Sequence, residues 1–435
     1  MTAIIIVFGL FLGLLVLRVP VAVSLVLSAF VGILMEGLDP VNVVSQSYRG
    51  IDSYTLLAVP FFLALGFLIS RTSVFERLLD LAAVIVGSVR GGLGHVNIVN
   101  SMLFAGLSGS AVADTSSEGP VIIPLMRKRG YSFEYAAAIT AATSTIGLII
   151  PPSILMVVYA ATNNTSVAAL FAAGFLPGIL IGLVFLVINY REAKRKNIDY
   201  GYSHQQPDQK PRSKREIIVR AIPVLMIPLL IIGGIRSGTF TATEAGAIGF
   251  AYTFVLTVFI YRDIKFGQIV NFFRDTVLLY SLPMLAVAAA GPFGWMLTLL
   301  GADTLVADLV KSMALTPFTF MLLVIAVFTV LGTFLDGIPA IIIFAPLFDA
   351  GATALGIHPV HLGVVITIVL AIGLVTPPYG LCLLIAARLA NTPVLRVVPA
   401  VLPFIAAELA IAVLLAASSD LALFIPRLFA ADVFQ

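Results

Sequence analysis

Residues 146–153 read Ile-Gly-Leu-Ile-Ile-Pro-Pro-Ser, and residues 372–379 read Ile-Gly-Leu-Val-Thr-Pro-Pro-Tyr. Each run lies inside a long apolar segment, 133–162 and 358–390. Proline has no amide hydrogen, its ring clashes with the preceding helical turn, and the residue before it avoids the helical region. The first segment is therefore predicted to stop as a helix near Ile150 and to restart near Ser153. The second should break in the same way at Thr376-Pro377-Pro378. Stopping leaves the carbonyls of about Gly147 to Ile150 without partners, and restarting leaves the first amide hydrogens after Pro152 bare. Lipid tails cannot satisfy such groups, so each break must be buried in protein or line a polar cavity. The carbonyl end suits Na⁺ and the amide end suits a carboxylate.

The two runs are 226 residues apart, and the same offset carries Gly106 to Gly332, Gly130 to Gly356 and Leu176-Pro177 to Leu402-Pro403. Asn164-Thr165 falls on Ala390-Asn391 only loosely. Collinear matches of this kind indicate an internal repeat.

The composition fixes the solvent. Of 435 residues 60% are hydrophobic and 11% charged, against about 25% charged in a soluble domain. The excess apolar surface must face a lipid bilayer. A net charge of +3 gives no reason to expect nucleic acid. The lone cysteine, Cys382, allows no internal disulfide and reads as a small hydrophobe. Spans are expected near 3–17, 20–36, 51–70, 133–162, 166–189, 217–235, 242–261, 276–299, 358–390 and 396–416. Met1 to Leu17 lacks the early basic residue of a secretory signal and is read as a retained helix. Two further apolar regions, 95–127 and 316–350, are split by polar and glycine residues.

The polar segment Tyr190 to Glu216 reads as a linker between two halves. Nine of the 25 basic residues lie between Arg191 and Arg220, which places this loop in the cytoplasm by the positive-inside rule. Counting spans outward from it leaves only Arg49, Arg236, Lys311 and Arg427 on the other side. That partition holds only if 95–127 and 316–350 each enter and leave by one face. They are thus expected to be re-entrant helical hairpins, the first opening to the cytoplasm and the second to the periplasm, with both termini periplasmic. The fold class expected is an all-α polytopic membrane protein with inverted repeats, two re-entrant hairpins and two broken helices. Inverted repeats with interrupted segments at matching positions point to a secondary transporter.

The hairpin tips carry the remaining chemistry. The first reads Gly106-Leu107-Ser108-Gly109-Ser110-Ala111-Val112-Ala113-Asp114-Thr115, and the second Gly332-Thr333-Phe334-Leu335-Asp336-Gly337-Ile338-Pro339. Glycine permits a sharp turn and close backbone approach, and hydroxyls and carboxylates supply oxygen ligands. Small residues could equally serve helix packing. Asp114 and Asp336 are intramembrane acids, which are functional by default, yet either could cap a hairpin helix. Glu118, Glu134, Glu244 and Glu408 are expected at interfaces or as caps, and Thr243-Glu244 as a helix start. His358 and His361 sit three apart but have no further ligands nearby for a metal.

These residues resemble those of a known family. Ser108 to Thr115, Ile123-Pro124-Leu125-Met126, Gly130-Tyr131, Ile146 to Ser153, and Leu170-Phe171-Ala172-Ala173-Gly174 are similar to the signature of the large membrane subunit of TRAP (tripartite ATP-independent periplasmic) transporters. Phe334-Leu335-Asp336 with Pro339, Ile372 to Gly380, and Gly238 to Glu244 extend the resemblance over nearly the whole chain, with Ala242 where the family has proline. Glu118 stands where an apolar residue is expected, and Tyr379 where a smaller one is usual, so Tyr379 bears on the substrate cavity. The resemblance implies an elevator-type transporter of the bacterial inner membrane and no enzyme. It implies import of an organic acid (a C4-dicarboxylate, a sialic acid or a related carboxylate) with Na⁺ as the coupling ion and no other cofactor. Its implied partners are a separate small four-helix membrane subunit and a periplasmic substrate-binding protein.

On that pattern 1–94 would be scaffold helices and 95–165 the first hairpin and broken helix of a transport domain. Residues 166–300 would be scaffold with the cytoplasmic linker 190–216, 301–395 the second hairpin and broken helix, and 396–435 a C-terminal helix and tail. One Na⁺ site would use Ser108, Gly109 and Ser110 with Gly147, Ile150 and Pro152. The other would use Gly332, Thr333 and Asp336 with Gly373, Val375, Thr376 and Pro378. Asp114, Ser153, Thr376 and Tyr379 are the candidates for substrate. The alternatives are a Na⁺/carboxylate symporter without a binding protein and, from another class, an intramembrane aspartyl protease using Asp114 and Asp336. Such a dyad needs two carboxyls sharing a proton at close range. No nucleotide-binding loop is present for a primary pump.

Overall fold

The computed structural model describes residues 2–198 and 212–429, and there the chain is helical with no strand. In chain order the helices are α1 (Thr2–Val16), α2 (Val21–Met35), α3 (Val41–Ile51), α4 (Ala58–Ser70), α5 (Ser73–Val86), α6 (Gly92–Ser108), α7 (Ala111–Lys128), α8 (Phe133–Thr145), α9 (Ile154–Thr162) and α10 (Val167–Arg195). The second half supplies α11 (Lys214–Arg236), α12 (Ala242–Val255), α13 (Ile269–Leu299), α14 (Ala302–Ser312), α15 (Pro317–Phe334), α16 (Gly337–Ala354), α17 (Pro359–Gly373), α18 (Leu381–Leu389), α19 (Val394–Ala417) and α20 (Ser419–Phe429). Helices take both ends of the expected 190–216 linker, and its middle, 199–211, lies outside the described residues.

The repeat extends to the secondary structure. Shifted by 226 residues, α6 to α10 fall on α15 to α19 with starts that agree within one residue. The pair α3 and α4, bent by 65°, corresponds to the single long α13. Many of these helices begin where the sequence offers a hydroxyl to the bare amides of the first turn. Ser110, Ser132, Ser153, Ser166 and Ser213 each accept a hydrogen bond from the backbone three residues on, and Thr241 with Glu244 forms a capping box. That box starts α12 two residues before the Thr243-Glu244 start expected from the sequence.

Seven of the described helices are long and apolar enough to cross a membrane, or eight if α3 and α4 count as one bent span. Two of the seven, α15 and α16, are the arms of the second expected hairpin, and four helices fall outside every expected span and hairpin: α3, α5, α14 and α20. Each has 11 to 14 residues, too few for about 20 residues of hydrocarbon crossing. Their apolar residues lie on one face, as in a helix lying along a surface.

Side-chain contacts gather the basic residues into two sets. At one end Arg71 pairs with Asp275 at 3.0 Å, Asp263 accepts from Ser73, Arg77 lies 3.7 Å over the Tyr261 ring, Arg212 pairs with Asp80 and Arg90 donates to Asn197. At the other end Thr243 donates to the Tyr54 carbonyl, Arg236 lies over Phe429, and Arg427 pairs with Asp420. Arg71, Arg77, Arg90 and Arg212 thus fall in one set and Arg236 and Arg427 in the other.

Both hairpins fold back on themselves. In the first, Asn100 and Ser101 of α6 each donate to Glu118 of α7 at 2.7 Å. In the second, Phe328 of α15 and Phe348 of α16 sit 5.4 Å apart. The packing then falls into two groups, which also meet directly where α4 touches α6, α7 and α9 and where α13 touches α16. The hairpins and broken helices pack on one another and on α10 and α19, while α1 to α4 pack with α11 to α13. The short helices α5 and α14 join the groups, α5 between α11 and α6, and α14 between α13 and α16. The repeats also interlock, because α9 packs on α16 of the other repeat and α18 on α7 and α8.

One buried knot fixes the base of the first hairpin. The Tyr131 hydroxyl donates to the Gly91 carbonyl at 2.7 Å and accepts from the Gly94 amide, and Asn189 of α10 donates to the same carbonyl. Tyr131→Phe removes the hydroxyl while keeping the ring, so stability should fall by about 1–2 kcal/mol. A lower melting temperature of the purified protein in detergent would show it, and an unchanged one would mean the knot is idle.

Candidate functional site

Each hairpin tip meets the break in the broken helix of its own repeat. In the first junction α6 ends at Ser108, Gly109 turns the chain with φ +62, and Ser110 caps α7. The turning glycine is thus Gly109; Gly106, grouped with the tip on sequence, lies inside α6 near Pro228. The Ser108 hydroxyl donates to Asp114 Oδ1. Opposite stands the break, where α8 gives way to a single tight turn at Ile146–Leu148 before α9 begins. A Cβ on Gly147 would fall 2.1 Å from Asp114 Oδ2, and one on Gly109 would fall 2.9 Å from the Pro152 carbonyl oxygen. Glycine at both positions lets tip and break touch.

The break disposes of its carbonyls as the sequence requires. In a continuous helix the Gly147 and Leu148 carbonyls would receive the amides of residues 151 and 152, and both are proline. The Ser153 hydroxyl donates to the Leu148 oxygen at 2.5 Å while capping α9. Asp114 is wholly buried, and its Oδ2 has no hydrogen-bond partner. A buried carboxylate oxygen without a donor is costly. Here it stands beside a serine hydroxyl and a break that offers carbonyls, an all-oxygen set that fits a hard cation.

The second junction is built from backbone. Gly332 lies within α15, and its use is close approach rather than turning: a Cβ on Gly373 would fall 2.4 Å from the Gly332 carbonyl carbon and 2.6 Å from its oxygen. The tip itself, Leu335 and Asp336, is extended chain with negative φ, so no glycine turns it. Asp336 caps α16, its Oδ1 accepting from the Gly337 amide at 2.9 Å. Thr376 donates to the Ile372 carbonyl at 2.7 Å, and the Leu374 oxygen is taken up by the Cys382 amide where the helix restarts. Thus Leu148 and Leu374, equivalent in the repeat, both give their carbonyls to the restarting helix. Both Pro-Pro bonds are cis.

The junctions differ in exposure. Residues 146–160 are buried throughout, whereas Asp336, Pro378 and Tyr379 reach the surface. Tyr379 is 57% exposed and Phe334 59%, and their rings sit 5.5 Å apart. The equivalents of these two aromatics in the first repeat are Ser153 and Ser108, both fully buried.

Of the residues expected at the first ion site, Ser108, Gly109, Ser110, Gly147 and Pro152 come together; the Ile150 side chain turns away to pack on Gly178 of α10. Gly332, Thr333, Asp336, Gly373, Val375, Thr376 and Pro378 make up the tip and break of the second. The four substrate candidates are split: Asp114 and Ser153 are enclosed in the first junction, while Thr376 and Tyr379 belong to the second. Each tip acid bonds within its own tip, and no hydrogen bond joins Asp114 to Asp336. His358 accepts from the Val360 amide, and His361 bonds the Leu415 carbonyl of α19. Among the described residues no three His, Cys, Asp or Glu side chains form a metal cluster.

Two acids expected at interfaces are instead fully buried. Glu118 is held by Asn100 and Ser101, and Glu408 of α19 bonds Thr145 at the end of α8. Asn100-Ser101 and Glu118 stand at nearly equal distances from Gly109 in sequence, a signal that a hairpin would pair them. Nothing local could have matched Glu408 with a residue in the other repeat.

The family model of the tripartite ATP-independent periplasmic transporter DctM component matches residues 8–421. The sialic acid TRAP transporter large permease protein SiaM of Vibrio cholerae is 34% identical over 97% of this chain and 98% of that protein. The C4-dicarboxylate TRAP transporter large permease protein DctM of Pseudomonas aeruginosa is 36% identical over 88% of each. Among solved structures, the Alcanivorax borkumensis YdaH transporter shares the fold, with a TM-score of 0.60, 16% identity and 86% coverage of both chains. The chain belongs to the DctM component family of the tripartite ATP-independent periplasmic transporters and is a large permease subunit, a multi-pass membrane protein.

Proposed function

We propose that this chain imports an organic acid across the bacterial inner membrane, driven by Na⁺ moving with it. The observation that carries this is the pair of tip-to-break junctions, each of which sets oxygen atoms against the interrupted backbone of a helix. Na⁺ is cargo here. The first ion would meet Ser108, the tip backbone, the Gly147 side of the break and the unpartnered oxygen of Asp114. The second would meet the Gly332–Gly373 contact, Thr333, Asp336 and Thr376. The acid would bind between the tips, where amide ends of the restarting helices favour a carboxylate, with Tyr379 and Phe334 forming its exposed wall. Two relatives are named for sialic acid and for C4-dicarboxylates, which are carboxylates.

The moving body would comprise both hairpins and both broken helices and, by their packing, α10 and α19 as well. This extends the transport domain beyond the 95–165 and 301–395 bounds suggested by the motifs. The stationary body would be α1 to α4 with α11 to α13, and α5 and α14 would be the arms between them. The basic-rich end, including the 190–216 linker, would face the cytoplasm and both termini the periplasm. The tripartite family description supports a small membrane subunit and a periplasmic binding protein as partners.

Proteoliposomes holding this chain and its small subunit, with the binding protein outside, test the reading. Uptake of labelled carboxylates should require both an inward Na⁺ gradient and the binding protein. Uptake indifferent to Na⁺ would overturn the coupling. Uptake that persists without the binding protein would make the chain a simpler Na⁺/carboxylate symporter.

A further inference from the structure

A groove of about 630 Å³ runs between α10 and α11 under a roof from α20. Its walls include Phe171, Phe175, Leu229 and Ile232, with Ile425 and Phe429 above and Arg236 at its mouth. It separates the two packing groups, since α10 belongs to the hairpin side and α11 to the other.

Three features decide what fills it. The walls are overwhelmingly apolar, so water has too few partners there. The groove lies between two membrane-crossing helices, so the surrounding solvent is lipid. Its length is set by Ala168 to Ile179 on α10 and Pro228 to Arg236 on α11, about 12–16 Å at 1.5 Å per residue. That is about half of a hydrocarbon core roughly 30 Å thick. A partner's transmembrane helix needs the full thickness, whereas one acyl chain of one leaflet needs half. The charge agrees. Arg236 is exposed, lies 4.1 Å over the Phe429 ring and makes no salt bridge among the described residues. Stacking by its face leaves its edge donors for a phosphate.

We infer that this groove is a phospholipid site, with one acyl chain between α10 and α11 and the headgroup phosphate on Arg236. The lipid fills the seam between the two bodies at the end of the molecule away from the basic cluster. A chain that can slide fills such a seam without locking it, as a packed side chain would.

The test uses the full chain purified with its small subunit and mass spectrometry of retained palmitoyl-oleoyl phosphatidylglycerol. Gly233 lines the groove, and a Cβ there meets nothing within 4 Å, so Gly233→Phe fills the space without a backbone clash. It should lower retained lipid at least tenfold. Arg236→Gln, at an exposed position, should weaken retention about tenfold, and Arg236→Lys should recover part of it. Equal retention by wild type, Gly233→Phe and Arg236→Gln would overturn the site. So would a photo-crosslinker at Leu229 that labels the small subunit in place of lipid.

Discussion

Gly373→Ala should lower uptake by roughly ten- to hundredfold, more than the same change at any other glycine of the two junctions. The new methyl would fall 2.4–2.6 Å from the carbonyl carbon, Cα and oxygen of Gly332. Those atoms are backbone inside α15, so no side-chain rotation relieves the clash and the tip must lift off the break. Overpacking of this kind costs about 1–3 kcal/mol, and each 1.4 kcal/mol is tenfold in an equilibrium. Gly332→Ala is the milder partner, because its Cβ would stop 3.2 Å from Gly373 Cα. Gly147→Ala is a different case. Its closest neighbour, at 2.1 Å, is the Asp114 carboxylate, which can swing aside. The fold should survive there while the carboxylate leaves its place. Initial uptake rates in proteoliposomes, read beside melting temperatures, separate the cases. Wild-type uptake by Gly373→Ala would show that the second junction opens freely and holds no ion.

The sequence carried the architecture because its governing constraint is blunt. Backbone cannot be left bare in lipid, so Pro151-Pro152 and Pro377-Pro378 had to mark breaks, and a common offset had to mark a repeat. Charge then required two segments to fold back, and Asn100, Ser101 and Glu118 bridge the first of them. The short helices α3, α5, α14 and α20 escaped because their signal is one-sided polarity over 11 to 14 residues, which a search for spans discards. The site was legible as motifs and not as contacts. Glycine in a tip motif suggests a turn, yet Gly332 serves to admit Gly373, and the turn beside it is made by Leu335 and Asp336. Asp114 appeared four residues past Ser110, free to face a substrate. Only the fold puts its oxygens between Ser108 and Gly147. Glu408 reaches Thr145 across 263 residues, and no periodicity encodes such a pair.

Asp114→Asn and Asp336→Asn should separate ion binding from helix capping. At Asp336 the native contact is a cap on Gly337, and asparagine caps about as well as aspartate. The Asp336 side chain reaches the surface of the tip, so an ion there is not enclosed by protein as it would be at Asp114. Asp336→Asn should therefore raise the Na⁺ concentration for half-maximal uptake only a few-fold. Asp114 is enclosed, and its unpartnered Oδ2 faces the break. Asparagine there keeps an acceptor for the Ser108 hydroxyl but turns an NH₂ group toward carbonyls that Pro151 and Pro152 leave without amide donors. The variant supplies from its own side chain the positive partner that Na⁺ would supply, so it should fold as well as wild type and bind Na⁺ poorly. Losing one charge-assisted ligand, at about 1.5–3 kcal/mol, corresponds to roughly a ten- to hundredfold rise in half-saturating Na⁺. Na⁺ titrations of uptake, with melting curves taken with and without Na⁺, read both effects. In Asp114→Asn the thermal stabilisation by Na⁺ should shrink while the Na⁺-free melting temperature holds or rises. If Asp114→Asn keeps the wild-type Na⁺ response, the buried carboxylate is a fold element and the first junction binds no cation. If Asp336→Asn is the more damaging of the two, the order of the sites is reversed, and the open junction controls coupling.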